Sequence, residues 1–140
     1  MSLAEKIALT AAGAFLLSGM LTGVWKYAKI MSSADHRAPV YVDIAHRTSF
    51  FYSFASLVLA KLIEYSPFTV SVRAAIVAVP IVFFAITVLG YIREGILDRT
   101  ENMFEERSFV TTTFMYLLIA GEIGGFLLIF GGAVYSFLRG

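Results

Sequence analysis

Four stretches of this chain are each about as long as the hydrocarbon layer of a bilayer is thick, and no other feature limits its fold so strongly. A helix needs roughly 20 apolar residues to cross about 30 Å of hydrocarbon. Lipid offers no partner for an unsatisfied backbone group, so a spanning segment must close its own hydrogen bonds. The first stretch is IALTAAGAFLLSGMLTGVW from Ile7, bracketed by Lys6 and Lys26. The second runs from about Val42 to Leu62. The third, RAAIVAVPIVFFAITVLGYI, starts at Arg73, and the fourth extends from about Phe109 to Leu138. The first run is long for a cleaved secretory signal and is expected to remain as a helix.

Composition agrees with this pattern. A chain of 140 residues that is 59% hydrophobic and 15% charged is too apolar for a soluble domain and too short for two domains. The expected fold is all-α, an integral membrane four-helix bundle forming one domain over residues 1–140. A formal charge of +1 supplies no concentrated basic face, which argues against nucleic-acid binding. The absence of cysteine excludes disulfides, thiolate metal sites and thiol catalysis. Histidine, carboxylate and tyrosine chemistry stay open.

The connections set the orientation. EYSPF is short and joins antiparallel neighbours, with Pro67 blocking helix continuation. SSADHRAP and REGILDRTENMFEER are longer and polar, and share one side of the membrane if all four segments cross. Most Lys and Arg, from Lys26 and Lys29 to Arg99 and Arg107, flank those two loops, against Lys6, Lys61, Arg73 and Arg139 opposite. Positive-inside bias therefore puts the long loops in the cytoplasm, in a bacterial-type inner membrane.

Within the second span, His46, Ser49, Ser53, Ser56 and Ala60 recur every three or four residues and form one narrow, small, partly polar stripe. Another helix or a flat ring can approach the backbone closely there, which makes Ser49 and Ser53 candidate cofactor contacts; small residues at helical spacing also serve as plain packing surfaces. His46 at a helix entrance has three ordinary fates: a solvated interface residue, a hydrogen-bonded structural residue, or an axial metal or haem ligand. His36, ten residues earlier, lies in a turn-like stretch and is expected to be solvated. Tyr52 is about 9 Å further along the helix than His46 and roughly 120° around it, so the two cannot face one point from one helix. Tyr91 is either a phenol at the depth of His46 or an aromatic-belt anchor. Glu122, near the centre of the fourth span, is either protonated glue between helices or part of a proton or substrate path. Gly121 and Gly125 form a GxxxG that predicts tight packing against another helix or subunit.

Two of these stretches resemble the small four-helix membrane haem proteins typified by styrene oxide isomerase. AHRTSFFYSFASLVLAKL at 45–62 resembles that family's Ala-His opening of the second span. GYIREGILDRTENMFEERS resembles its third-span tyrosine followed by a loop with an Asn-x-Phe element, here Asn102, Met103 and Phe104. The resemblance covers roughly the last two-thirds of the chain. It implies that His46 is the axial ligand of a haem b iron, that Tyr91 is an active-site tyrosine, and that Asn102 lies with the cofactor. It further implies a homotrimer with haem between adjacent subunits and a small apolar substrate arriving through lipid. The implied reaction is redox-neutral isomerisation of an epoxide to an aldehyde, with ferric haem as Lewis acid. The family's substrate-positioning asparagine falls at Tyr52, so a phenol replaces an amide; Tyr52 and Tyr91 are then the catalytic phenols expected to orient the substrate, and haem binding carries over better than the reaction. A haem protein for gas sensing or electron transfer, and a haem-free accessory membrane subunit, are the alternatives.

Overall fold

A computed structural model describes residues 1–140 and is entirely helical. Helix α1 spans Leu3–Ser32, α2 Val40–Ile63 and α3 Val70–Leu97; a π-helical turn over Val110–Phe114 leads into α4, Met115–Arg139. These helices contain the first three expected spans, with α1 running seven residues past Trp25, while α4 itself begins at Met115, after the π-helical turn, rather than at Phe109. The helix of α1 starts where Ser2 and Glu5 satisfy each other's backbone N–H groups in a capping box, with Ser2 N donating to Glu5 Oε2 at 2.5 Å. α3 stops at Asp98, whose left-handed backbone (φ 46°) lets its N–H donate to the Glu94 carbonyl at 2.9 Å.

Helices α1 and α2 pack antiparallel along their whole length. The buried face of α1 is Ala4, Ala8, Ala12, Phe15, Gly19 and Thr22, and it meets the small stripe of α2. Two small faces allow the backbones to approach, which is what helix association needs where lipid tails are as apolar as the side chains. α3 runs through Pro80 without interruption. Proline has no N–H for the carbonyl four residues back and crowds it; Gly125 of α4 fits against this point. A β-carbon at Gly125 would lie 2.8 Å from Pro80 Cδ and 3.4 Å from the Ile76 carbonyl oxygen. One turn earlier, a β-carbon at Gly121 would strike the Phe83 ring. The GxxxG of the fourth span is thus a packing surface for α3.

Away from these seams the bundle is apolar outside as well as inside. Leu17, Leu21 and Val24 of α1, Val82 and Leu89 of α3, and Leu127 and Leu128 of α4 are exposed. A water-soluble helix reserves that face for polar residues. α1, α3 and the Val110–Arg139 unit are long and apolar enough to cross a membrane. α2, with 24 residues, reaches about 36 Å, but Asp43, His46, Arg47 and its serines leave it outside that group. Its three serines face inward, Arg47 and Lys61 outward, and α2 touches all three other helices.

Candidate functional site

At the loop end of α2, Asp43 binds Lys26 of α1 and Arg47 one turn on, each at 2.6 Å. Three residues on from Asp43, His46 turns its ring into α1. Its Nδ1 lies 2.8 Å from the Gly19 carbonyl oxygen. A carbonyl oxygen only accepts, so Nδ1 carries the proton, and in the neutral ring Nε2 holds the lone pair. The ring has room because α1 presents glycines: a β-carbon at Gly23 would lie 2.8 Å from His46 Cε1, and one at Gly19 3.1 Å from the Phe50 ring. Phe50 packs edge-on against His46, with centroids 5.1 Å apart. Gly19 and Gly23 therefore form a notch that orients the imidazole. Their GxxxG spacing in the first span was the signal that sequence reasoning passed over in favour of the one in the fourth.

The stripe below His46 is taken up by α1. Ser49 Oγ donates to the Ala45 carbonyl at 2.8 Å, so the Ser18 hydroxyl, 3.1 Å away, must donate to Ser49. Ser53 Oγ donates across the seam to the Ala12 carbonyl at 2.8 Å, and Ser56 Oγ to the Tyr52 carbonyl at 2.7 Å. All three serines are buried. The close approach expected of this stripe is that of a helix, so Ser49 and Ser53 hold α1 to α2 and offer no open hydroxyl beside His46.

The two tyrosines sit elsewhere. Tyr52 points into the α2–α3–α4 side, stacked on Phe84 with centroids 4.0 Å apart, and its hydroxyl donates to Glu122 Oε1 at 3.4 Å. Tyr91 lies against Tyr41, ring centroids 6.0 Å apart, and its hydroxyl makes no hydrogen bond within the chain. Tyr41 in turn accepts from the Met103 backbone N–H at 2.5 Å and so ties the α3–α4 loop to α2. Asn102 Oδ1 accepts from Phe104 N at 3.1 Å, and the residue borders a polar cavity of about 500 Å³ with Arg93, Glu94, Arg99 and Thr111. Glu94, 8% exposed, pairs with Arg93 and Arg99 there. His36 is exposed in the α1–α2 loop, as expected. The chain brings His46 together with Gly19, Gly23 and Phe50; its ring makes no contact with Tyr52, Tyr91 or Asn102.

No group of three or more His, Asp or Glu side chains could hold a metal ion. A lone, oriented imidazole instead matches a metal that brings its other donors with it, as the iron of a porphyrin does. The backbone bond at Nδ1 is the outer contact that commonly fixes a metal-ligating histidine. His46 is half-buried.

The class these features define is an all-helical bundle with three helices of membrane-crossing length and a histidine held in one tautomer between two of them. No protein-family model, curated protein or solved structure matches the chain.

Proposed function

We propose that this is an integral membrane protein whose four helices all cross the bilayer, and that it binds haem b through His46 Nε2 at contacts between subunits of a homotrimer. The observation that carries the reading is the 2.8 Å contact of His46 Nδ1 with the Gly19 carbonyl, which leaves Nε2 as the free lone-pair nitrogen. The Gly19–Gly23 notch and Phe50 support it by holding the ring at one angle, so that little rotamer freedom remains to be lost on ligation. A second subunit is part of the proposal because the resemblance implies haem between subunits, and His46 is only half-buried within one chain. The long loops lie in the cytoplasm, on the Lys and Arg distribution, in an inner-membrane setting.

The reaction we propose, on the resemblance to styrene oxide isomerase, is redox-neutral conversion of an apolar epoxide to an aldehyde. When bound, ferric haem supplies the Lewis acid for that chemistry. His46 holds the group and Gly19 keeps the proton on Nδ1. Tyr91, whose hydroxyl has no partner in the chain, is available to donate a hydrogen bond to a substrate oxygen. The phenylalanines of α2, with Phe51 and Phe54 exposed, give the substrate a lipid-side route that excludes water.

One observation favours haem binding without isomerisation: Tyr52 is engaged by Phe84 and Glu122, on a different side of α2 from His46. Protein purified after expression with ample haem is expected to show a Soret band that His46→Ala loses and added imidazole restores. A colourless wild type overturns the proposal. A coloured protein that leaves aryl epoxides unchanged while binding CO reversibly supports the second reading.

A further inference from the structure

Among α2, α3 and α4 lies an apolar groove of about 350 Å³, open to the outside of the bundle where Val58, Ile123 and Phe126 are exposed. Its wall is made by Ala55, Leu59, Pro80, Phe84, Ile123 and Phe126, and its one polar lining residue is Glu122. No Lys, Arg or His pairs with that carboxyl. Its only protein partner is the Tyr52 hydroxyl, at the long distance of 3.4 Å. The Thr87 hydroxyl is buried beside the Tyr52 hydroxyl, outside the geometry of a well-formed hydrogen bond. A polar track of Glu122, Tyr52 and Thr87 therefore runs through an apolar seam, and it is less than fully satisfied.

The chemistry of such a cavity selects its occupant. A carboxyl walled by hydrocarbon and lacking a counter-charge keeps a proton unless another cation takes the proton's place. An anion is repelled, and a neutral hydrocarbon gains nothing from the carboxyl. A small inorganic cation demands more oxygen ligands than one carboxyl and a phenol supply. A cation with an apolar body meets every feature: the carboxylate balances its charge, Phe84, Ile123 and Phe126 line the wall with hydrocarbon, and the volume falls within the range of small-molecule sites.

We propose that this cavity binds a lipophilic organic cation, of the quaternary ammonium or phosphonium class, in exchange for the carboxyl proton of Glu122. Binding releases one proton: the O–H bond of the carboxylic acid breaks, the proton leaves to solvent, and the carboxylate that remains pairs with the cation. The titratable groups facing Glu122 are Tyr52 from α2 and, further along, Tyr91 from α3, phenols ordinarily protonated up to a pH of about 10. α3 and α4 bring no charged side chain to the cavity other than Glu122 itself.

The test is equilibrium binding of radiolabelled methyltriphenylphosphonium to the purified full-length protein in detergent. Saturable binding is expected, tightening by about tenfold per pH unit while the carboxyl is protonated, because one proton leaves per cation bound. Glu122→Gln is expected to lose at least about tenfold in affinity and all pH dependence. Ala55→Phe, which fills the cavity and leaves the carboxyl in place, is expected to abolish binding while circular dichroism stays that of the wild type. Absence of saturable binding by the wild type, or Glu122→Gln with wild-type affinity and pH dependence, overturns the proposal. His46→Ala, which removes the ligand of the proposed haem, is expected to bind the cation as wild type does, so the two sites fail or stand separately.

Discussion

The imidazole of His46 and the backbone of Gly19 are joined by a 2.8 Å contact across the α1–α2 seam, at a point where α1 has no side chain to obstruct it. A hydrogen bond from a side chain to a helix carbonyl uses that oxygen's second lone pair and leaves the helix intact. The same contact thus packs two helices and sets the proton on one ring nitrogen.

Gly23 tests the notch. Gly23→Ala sets a methyl 2.8 Å from His46 Cε1, so the ring must turn and the contact to Gly19 must lengthen. Overpacking of this kind costs about 1–3 kcal/mol, against a helix-propensity gain of up to about 1 kcal/mol. Gly13→Ala, in the same helix with open space around it, collects only the gain. Thermal unfolding in detergent is expected to place Gly23→Ala below wild type and Gly13→Ala at or above it.

A parallel contrast applies to α4. Gly125→Ala meets Pro80 Cδ at 2.8 Å, and a proline ring in mid-helix has no rotamer to retreat into. Gly124→Ala, one residue along, meets nothing within 4 Å. A loss of about 1–3 kcal/mol is expected for the first and none for the second, read from unfolding in a denaturing detergent. Equal stability of the two variants would show that α4 does not seat on Pro80.

The α3–α4 loop is tied to α2 by the Tyr41 hydroxyl. Tyr41→Phe removes the acceptor of the Met103 N–H and exposes the loop to local opening at a cost of roughly 0.5–1.5 kcal/mol. Trypsin cutting at Arg99 and Arg107 is expected to accelerate by about two- to tenfold, the same energy expressed as a population of the open form. Unchanged cleavage would place the restraint elsewhere, for instance on the Glu94 pairs.

Ser53 joins α2 to α1 through the Ala12 carbonyl. Ser53→Ala is expected to lower stability by only about 0.6 kcal/mol, because serine in an unfolded membrane helix also finds partners. Its spectrum with haem is expected to match wild type, since the hydroxyl is buried in the seam. A changed Soret position in this variant would mean that Ser53 reaches the cofactor.

Much of the architecture was legible beforehand because apolar length and turn chemistry are local properties. The four helices, the short Pro67 turn and the packing role of Gly121 and Gly125 follow from neighbours within a few residues. The α2 stripe was legible as a surface of close approach, yet His46, Ser49 and Ser53 did not reveal which object approaches. The answer lies in Ala12, Ser18 and Gly19, residues 27 to 41 positions earlier. Similarly, Glu122 was recognisable as a carboxyl needing a partner, but its neighbour Tyr52 is 70 residues away.

By itself, then, the sequence determined that the chain is helical, the central stretch of each helix, and which faces are small, bulky or polar. Hydrophobic length, capping and 3.6-residue spacing operate within one segment. Tertiary structure alone decided that the His46 ring turns to the Gly19 backbone of α1 while Tyr52 stacks on Phe84 of α3 and reaches Glu122 of α4, and hence that one helix presents these two side chains to different neighbours. A helix fixes only the angle between its own side chains. Which neighbour fills each angle depends on how the small faces of all four helices fit together, and no single segment encodes that fit.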